Sequence, residues 1–355
     1  MLRIALPLIL ILSLCSSCSL KKGPPSKMAL IFDADMDVND LYTLYLLSRS
    51  PLVQLMGVTI SGAHNYYFDQ AGSHVESILD LAHKNSTAVS SLPSTTFCSS
   101  SLNPAWINLG DDFSKYHLPV SPNKPLNTTG TELMRHLLEA SSEKVSILCC
   151  GPLNNVANLI TTYPQLLSKI EKIVVLAGSL HTLETLTLPR DPYWEQASSY
   201  ATYFDPCAAR IVFASGIPIT LVPLSILTLV NNTPEVFSRY APTANNPGAA
   251  FVLQALQSHF QPDSILSFCT FWDPIGMMTL IRADLVTLKD TFIDILLEGK
   301  DDFGHIIEVP RATDVDISKP PIDTAPLHQT GYPVKLCTSI NADLFYQSLF
   351  GMIND

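Results

Sequence analysis

Short apolar runs recur along this chain at crossover length, and that recurrence narrows the fold more than any other feature. Ala29–Phe32, Val53–Ser61, Val145–Cys150, Ile173–Ala177 and Ile217–Pro223 are each long enough for one buried strand. Helical spacing follows each of them. After the first come Leu41, Leu44, Leu46 and Leu47; after the second, Gly72–Ala82; after the others, Asn155–Ile160, Asp205–Ala214 and Gly248–His259. Strand, loop and helix in alternation predict an α/β fold on an open, mostly parallel doubly wound sheet. The 47% hydrophobic and 15% charged composition fits a sheet covered on both faces. Glu132–Ala140 reads as a further helix. Asp290–Pro310 alternates apolar and polar residues around Gly299 to Gly304, which predicts a C-terminal β-hairpin. Val334–Cys337 is a last strand and Ala342–Met352 a last helix. Ser86–Asn127 lacks periodicity and reads as loops with at most a short strand. Nothing divides the body of the chain, so residues 28–355 are expected to form one domain.

The first 18 residues read as an export signal. Arg3 supplies the positive start, and Leu6–Leu14 is an apolar stretch too short to span a bilayer. Cys15-Ser16-Ser17-Cys18 resembles the cleavage box of a bacterial lipoprotein, in which case Cys18 carries lipid and residues 19–27 are a linker. Cleaved secretion and an uncleaved anchor are the alternatives. The expected address is therefore exported, periplasmic or a membrane-anchored lipoprotein, with the membrane reached only through the N-terminal lipid. The net charge is -11 with no basic run, which argues against nucleic acid. Beyond Cys15 and Cys18 the cysteines are Cys98, Cys149, Cys150, Cys207, Cys269 and Cys337. Their spacing is not that of a zinc site, and the sequence leaves open which of them are oxidised. Cys149 and Cys150 end an apolar strand and read as small buried hydrophobes.

The chemistry concentrates where the first strand ends. Asp33, Asp35, Asp37, Asn39 and Asp40 crowd one turn between that strand and the next helix. Asn39 and Asp40 also suit a helix N-terminus. Asp33 and Asp35 lie before the turn, at the sheet edge where open α/β folds bind ligands. Crowded carboxylates call for a positive partner, and a hard divalent cation with oxygen ligands is the usual one. Cys150-Gly151-Pro152 and Phe271-Trp272-Asp273-Pro274 end other elements at what would be the same edge.

Together these segments resemble the inosine-uridine-preferring nucleoside hydrolases from Lys27 to Ile353. The family's opening Asp-x-Asp-Pro-Gly-x-Asp-Asp is similar to Asp33-Ala34-Asp35-Met36-Asp37-Val38-Asn39-Asp40. Its Gly-Pro-Leu-Thr-Asn is similar to Gly151-Pro152-Leu153-Asn154-Asn155, and its Met-Gly-Gly strand to Leu176-Ala177-Gly178-Ser179. Its Asp-Pro-Glu-Ala-Ala resembles Asp205-Pro206-Cys207-Ala208-Ala209, and its late His-Asp-Pro resembles Trp272-Asp273-Pro274. The resemblance implies Ca2+ held by Asp35, Asp40, Asp273 and the main-chain oxygen of Cys150. It implies Asp35 as general base for water attacking the anomeric carbon of a nucleoside or riboside, through an oxocarbenium-like transition state. Asp33 would orient the loop behind the ligands. A homo-oligomer is implied by analogy.

The departures from the family fall on the sugar and the base. Asn39 stands where an Asp grips the ribose hydroxyls, and an amide accepts hydrogen bonds there without charge. Ser199-Tyr200-Ala201 aligns with the family's Glu-x-Asn. Trp272 replaces a His that protonates the departing base in some members; indole stacks on a ring but is no acid. His64, His181 and Tyr200 are the remaining candidates for that acid. Three readings follow. They are an N-glycosyl hydrolase, a non-catalytic nucleoside- or sugar-binding relative on the same scaffold, and a phosphatase of the haloacid-dehalogenase kind. The last rests on Phe32-Asp33-Ala34-Asp35 alone and lacks that family's later Lys and acidic pair.

Overall fold

The structure is a computed structural model; it describes residues 27–61, 68–98, 113–178, 200–260, 270–297, 304–309 and 331–355. The export segment and linker up to residue 26 lie outside that set, as do His64, His181, Cys269 and the hairpin turn at 298–303.

Among the described residues, ten strands form one sheet in the order β4-β3-β2-β1-β5-β6-β7-β10-β8-β9. They are β1 Met28–Ala34, β2 Val53–Ile60, β3 Ala88–Leu92, β4 Leu126–Thr129 and β5 Val145–Cys149. The second half comprises β6 Ile170–Leu176, β7 Ile219–Val222, β8 Val286–Ile295, β9 Ile306–Glu308 and β10 Tyr332–Ile340. Pairing is parallel from β4 through to β10. It turns antiparallel at β10–β8 and β8–β9, which gives the expected C-terminal hairpin. The helices are α1 Val38–Arg49, α2 Phe68–Leu81, α3 Gly130–Ala140, α4 Asn154–Thr162 and α5 Tyr200–Phe204. Then come α6 Pro206–Phe213, α7 Pro234–Tyr240, α8 Pro247–Ser258, α9 Trp272–Ile281 and α10 Ala342–Gly351.

Period-two alternation puts a helical layer on each face of the sheet. On β1, Leu30, Phe32 and Ala34 face the core shared with α1, α2, α8, α9 and α10. Ala29 and Ile31 face the core shared with α3, α4 and α6. From β1 the chain builds outward through β2, β3 and β4, then returns to lay β5, β6 and β7 on the other side. The sheet therefore changes direction between β1 and β5, and the carboxyl ends of those two strands flank the crevice where such folds bind ligands.

Two elements next to that crevice are buried on nearly every side. On α1 the buried set runs from Val38 to Ser48 with Asn39 the exception, and on α9 it runs from Asp273 to Leu280. Gly276 lets α9 lie on the sheet, since a Cβ there would come within 2.4 Å of Leu176 and 3.2 Å of Leu148.

The region from Ser86 to Asn127 holds two strands, β3 and β4, rather than one at most. Both are short, and β4 (LNTT) is polar and largely exposed at the sheet edge, so neither carries an apolar run. Just past β3, Cys98 is disulfide-bonded to Cys207 of α6, closing 109 residues with Cα atoms 5.6 Å apart. Asp205, the N-cap of α6, is fully buried and accepts from the backbone N–H groups of Phe97 (2.7 Å), Cys98 (3.1 Å) and Ala208 (3.0 Å).

Gly151 sets the distance between the ends of β1 and β5. A Cβ there would lie 2.4 Å from Ser61 Oγ and 2.8 Å from the backbone nitrogen of Asp35. Backbone cannot swing away as a side-chain tip can, so Gly151→Ala should cost about 1–3 kcal/mol. Gly351→Ala, where nothing lies within 4 Å, should leave stability unchanged or slightly improved. Denaturant unfolding of the two variants side by side checks both.

Candidate functional site

β1 delivers its carboxylates in two tiers. Asp33, the last inward residue on the α4 face, is fully buried. It accepts hydrogen bonds at 2.7 Å from Thr59 Oγ1 and at 2.7 Å from Asn155 Nδ2. Asn155 also donates to the carbonyl oxygen of Ile60 at 2.9 Å, so one amide ties the ends of β1 and β2 to the first turn of α4. Burial pushes the Asp33 carboxyl up to about 7, against the pull of those two hydrogen bonds. Asp35 lies beyond the strand, at 7% exposure the most open of the buried acids here.

The turn after Asp35 runs through Met36 at φ 67°, a left-handed conformation that proline's ring excludes. The Met36-Asp37 pair therefore makes its own turn rather than that of a Pro-Gly pair. Asp37 then caps α1, and Asp40 in the first turn reaches back to it. Asp40 Oδ2 accepts from the backbone N–H of Met36 at 2.9 Å and of Asp37 at 3.1 Å. Asp40 Oδ1 is buried with no hydrogen-bond partner. Capping thus occupies one oxygen of this carboxylate and not the other.

Asp273 arrives from α9. Tyr42 of α1 donates to the carbonyl oxygen of Thr270, and Phe271 packs edge-on to Phe345 with ring centroids 5.5 Å apart. Those contacts seat the residues just ahead of Asp273. Ligand atoms of Asp40, Cys150 and Asp273 all lie within 4.8 Å of one another. Asp35 stands against Asp40. The three acids that the sequence scatters from 35 to 273 do meet in space.

Electrostatics there are one-sided. Burial first, and then the charge of Asp40, holds Asp35 well above the usual carboxylate range. Burial and then Asp273 do the same to Asp40, and burial does so to Asp273, with the charge of Asp35 adding to it. The Cys150 thiol is raised by burial and then by Asp273 and Asp40. Like charges at this separation need a counter-ion or a proton. The buried, unpartnered oxygen of Asp40 and the all-acidic surroundings fit a divalent cation.

Asn39 is half-buried on the first turn of α1. Trp272 is half-buried at the start of α9; its indole N–H donates to the carbonyl oxygen of Val222 at 3.3 Å and its ring packs on the main core. Among the candidate leaving-group acids, His64 and His181 lie outside the described residues, and Tyr200 is the first residue of α5. Sequence reasoning gave Asn155 and Thr59 no role. The signal for Asn155 was its place in Gly151-Pro152-Leu153-Asn154-Asn155, directly after a strand end; Thr59 carried none. The sequence presents Cys150 as a small buried hydrophobe, yet its sulfur stands among carboxylates.

In cation-free protein, stability should fall as pH rises. Folded Asp33 keeps its proton up to about 7, while the unfolded chain releases it from 3.8 upward, so deprotonation favours unfolding across that window. The raised carboxyls of Asp35, Asp40 and Asp273 act in the same direction. Urea unfolding with a chelator at both ends of the window reads the slope, and a saturating divalent cation should flatten it. Stability that climbs with pH in the chelated protein would mean that the acids are ionised and already compensated.

Known proteins share this fold. The family model of the inosine-uridine preferring nucleoside hydrolases matches residues 30–347. A pyrimidine-specific ribonucleoside hydrolase of Salmonella newport is 26% identical over 277 residues, covering 77% of this chain and 86% of its own length. Its counterpart in Klebsiella pneumoniae is 25% identical over the same shares. Among solved structures, an inosine-guanosine nucleoside hydrolase superposes with a TM-score of 0.73 at 18% identity, covering 92% of this chain and 99% of that one. A purine-preferring ribonucleoside hydrolase from Gardnerella vaginalis gives 0.66 at 20% identity, covering 92% and 98%. On the match over residues 30–347, this chain belongs to the inosine-uridine preferring nucleoside hydrolase family.

Proposed function

We propose that this protein hydrolyses the N-glycosidic bond of nucleosides with the aid of a divalent cation. The observation that carries this reading is the convergence of Asp35, Asp40 and Asp273 at the carboxyl ends of β1 and β5, within a family of nucleoside hydrolases. Asp40 and Asp273, joined by Asp35 and the main-chain oxygen of Cys150, make a hard oxygen set that suits Ca2+. A cation bound there supplies the positive charge that acidifies water and fixes sugar hydroxyls.

Asp35 is the base. It is the most open of the acids, and a carboxylate there takes the proton from water as the oxygen attacks the anomeric carbon. The C–N bond breaks as positive charge grows on the sugar ring, and the surrounding carboxylates stabilise that charge. Asp33 holds the end of β1 in place through Asn155 and Thr59. Asn39 offers both a donor and an acceptor to ribose hydroxyls. Trp272, whose N–H is engaged by Val222, offers ring surface to a base or sugar and leaves protonation of the leaving group to another residue. The named relatives act on pyrimidine or on purine nucleosides, so a substrate panel includes both.

A second reading is a nucleoside- or sugar-binding relative without turnover. It is favoured by Asn39 and Trp272 standing where the family presents an acid and a proton donor. Calorimetry with Ca2+ followed by a base-release assay separates the two. Release should fall by about 100-fold or more in Asp35→Ala and persist in Trp272→Phe. Cation binding with no release from any panel member would favour the binding role.

The N-terminus completes the proposal. Cys18 is the site of lipid attachment, residues 19–27 are the tether, and the enzyme works outside the cytoplasm. A fatty-acid analogue should label the wild type and not Cys18→Ala. Label that survives the substitution, or never appears, removes the anchor.

A further inference from the structure

The strap that leaves β3, residues 93–98, is tied at one end to the shoulder of the crevice and at the other to a disulfide. At the crevice end, Thr131 Oγ1 of α3 donates to the carbonyl oxygen of Asn155 at 3.0 Å. With its proton so engaged, it accepts from Ser94 Oγ of the strap, also at 3.0 Å. The neighbouring Asn154 Nδ2 donates to the carbonyl oxygen of Ser94 at 3.2 Å. Gly130 seats α3 against the Asn155 amide, since a Cβ there would lie 2.4 Å from Nδ2. That amide is the group that holds Asp33 and the end of β2. Ser94, Thr131, Asn154 and Asn155 are all buried, so a strap that shifts breaks hydrogen bonds that water does not replace.

At the other end, Cys98 is bonded to Cys207 in the first turn of α6. Both residues are half-buried, within reach of a small reductant, whereas Cys149 and Cys337 are buried. Asp205 also holds this end, through the N–H groups of Phe97 and Cys98, but with a carboxyl that burial pushes above its usual range. A buried carboxylate alone is a costly fastener, and the covalent link secures what it cannot. Cys207 falls where the family segment carries Glu, so the cross-link is this chain's own.

We infer that the Cys98–Cys207 disulfide is a redox latch on the proposed cation site. Closed, it holds Asn155, and through Asn155 the ends of β1 and β2, in the geometry that gathers the acids. Opened by reduction, it frees the strap, and the site takes calcium more weakly. The inference rests on the cation-assisted reading above and adds its regulation. Closing the latch removes two electrons and two protons from the thiols of Cys98 and Cys207; a small disulfide such as oxidised glutathione accepts them and leaves as two thiols. The proposed address outside the cytoplasm is a compartment that keeps such a bond closed.

Calorimetry of calcium binding to the full chain, oxidised and reduced, tests this without any nucleoside. Reduction uses a water-soluble phosphine, which takes the oxygen of its oxide from water and leaves two thiols, followed by desalting without air. Calcium affinity should fall roughly tenfold on reduction and return with oxidised glutathione. The double variant Cys98→Ser/Cys207→Ser should match the reduced protein and ignore both reagents. Thr131→Val keeps the disulfide but removes the hydroxyl between Ser94 and Asn155. It should weaken calcium binding by a similar factor, and reduction should then add little. Circular dichroism verifies folding; if reduction unfolds the chain, the oxidised Thr131→Val protein decides, and affinity equal to the wild type overturns the latch. Equal calcium affinity in the two redox states of the wild type, with only a lower unfolding midpoint on reduction, would make the disulfide a plain staple. Nucleoside release alongside such redox-blind binding would sink this inference and leave the proposed function standing. Redox-dependent calcium binding with no release from any nucleoside would do the reverse, and no calcium binding in either state would end both.

Discussion

The mutual repulsion of Asp35, Asp40 and Asp273 is the constraint around which this structure is built. Each is buried, and the charges bearing on Asp40 come from Asp273 and Asp37, both of its own sign. Buried like charges are among the most costly arrangements a fold can hold. They persist only where surrounding structure overdetermines their positions. Here the sheet reverses direction between β1 and β5, α9 lies directly on β5 and β6 across Gly276, and Gly151 lets the ends of neighbouring strands approach. Each of these features brings one acid toward the others against their repulsion.

The supporting layer works by dividing labour between atoms. Asp40 commits one oxygen to the N-terminus of α1 and leaves the other unpartnered. Capping is thus what aims the free oxygen. Asn155 holds Asp33 with one N–H and Ile60 with another, so the amide senses both strand ends at once. A strand end that slipped would break two hydrogen bonds at a buried site, and each such loss costs about 1–3 kcal/mol. Rigidity at the crevice follows from this doubling of contacts.

What the sequence made legible was whatever depends on local pattern. The apolar runs marked β1, β2, β5, β6 and β7 within a few residues, and Asp33 to Asp40 announced the site because acids at a strand end have few bland explanations. The hairpin of β8 and β9 was legible for the same reason: alternation and a glycine turn are local. The opaque features are decided by distant partners. The insertion of β10 between β7 and β8 has no sequence signature, because strand order is set by packing. β3 and β4 were hidden by their polarity at the edge. The pairing of Cys98 with Cys207 could not be read from spacing, since it depends on Asp205 drawing the backbone of Phe97 and Cys98 onto the start of α6. Met36 gave no warning of its positive φ, which glycine or asparagine would have advertised.

The pattern of retained and altered residues bears on what the site is for. Replacing any one of Asp35, Asp40 or Asp273 with a neutral residue would relieve repulsion and stabilise a chain that had no use for a cation. A chain keeping all of them carries a standing stability cost that a proton or a bound ion offsets, and a ligand that binds the folded state alone stabilises it by mass action. Among the departures from the family, Asn39 and Trp272 stand at half-buried positions. Selection on a ligand therefore remains at the acids, while the residues around them are free to fit a different sugar or base. On the proposed function, the crevice is a cation site with a re-cut mouth, a combination that suits a change of substrate better than a loss of chemistry.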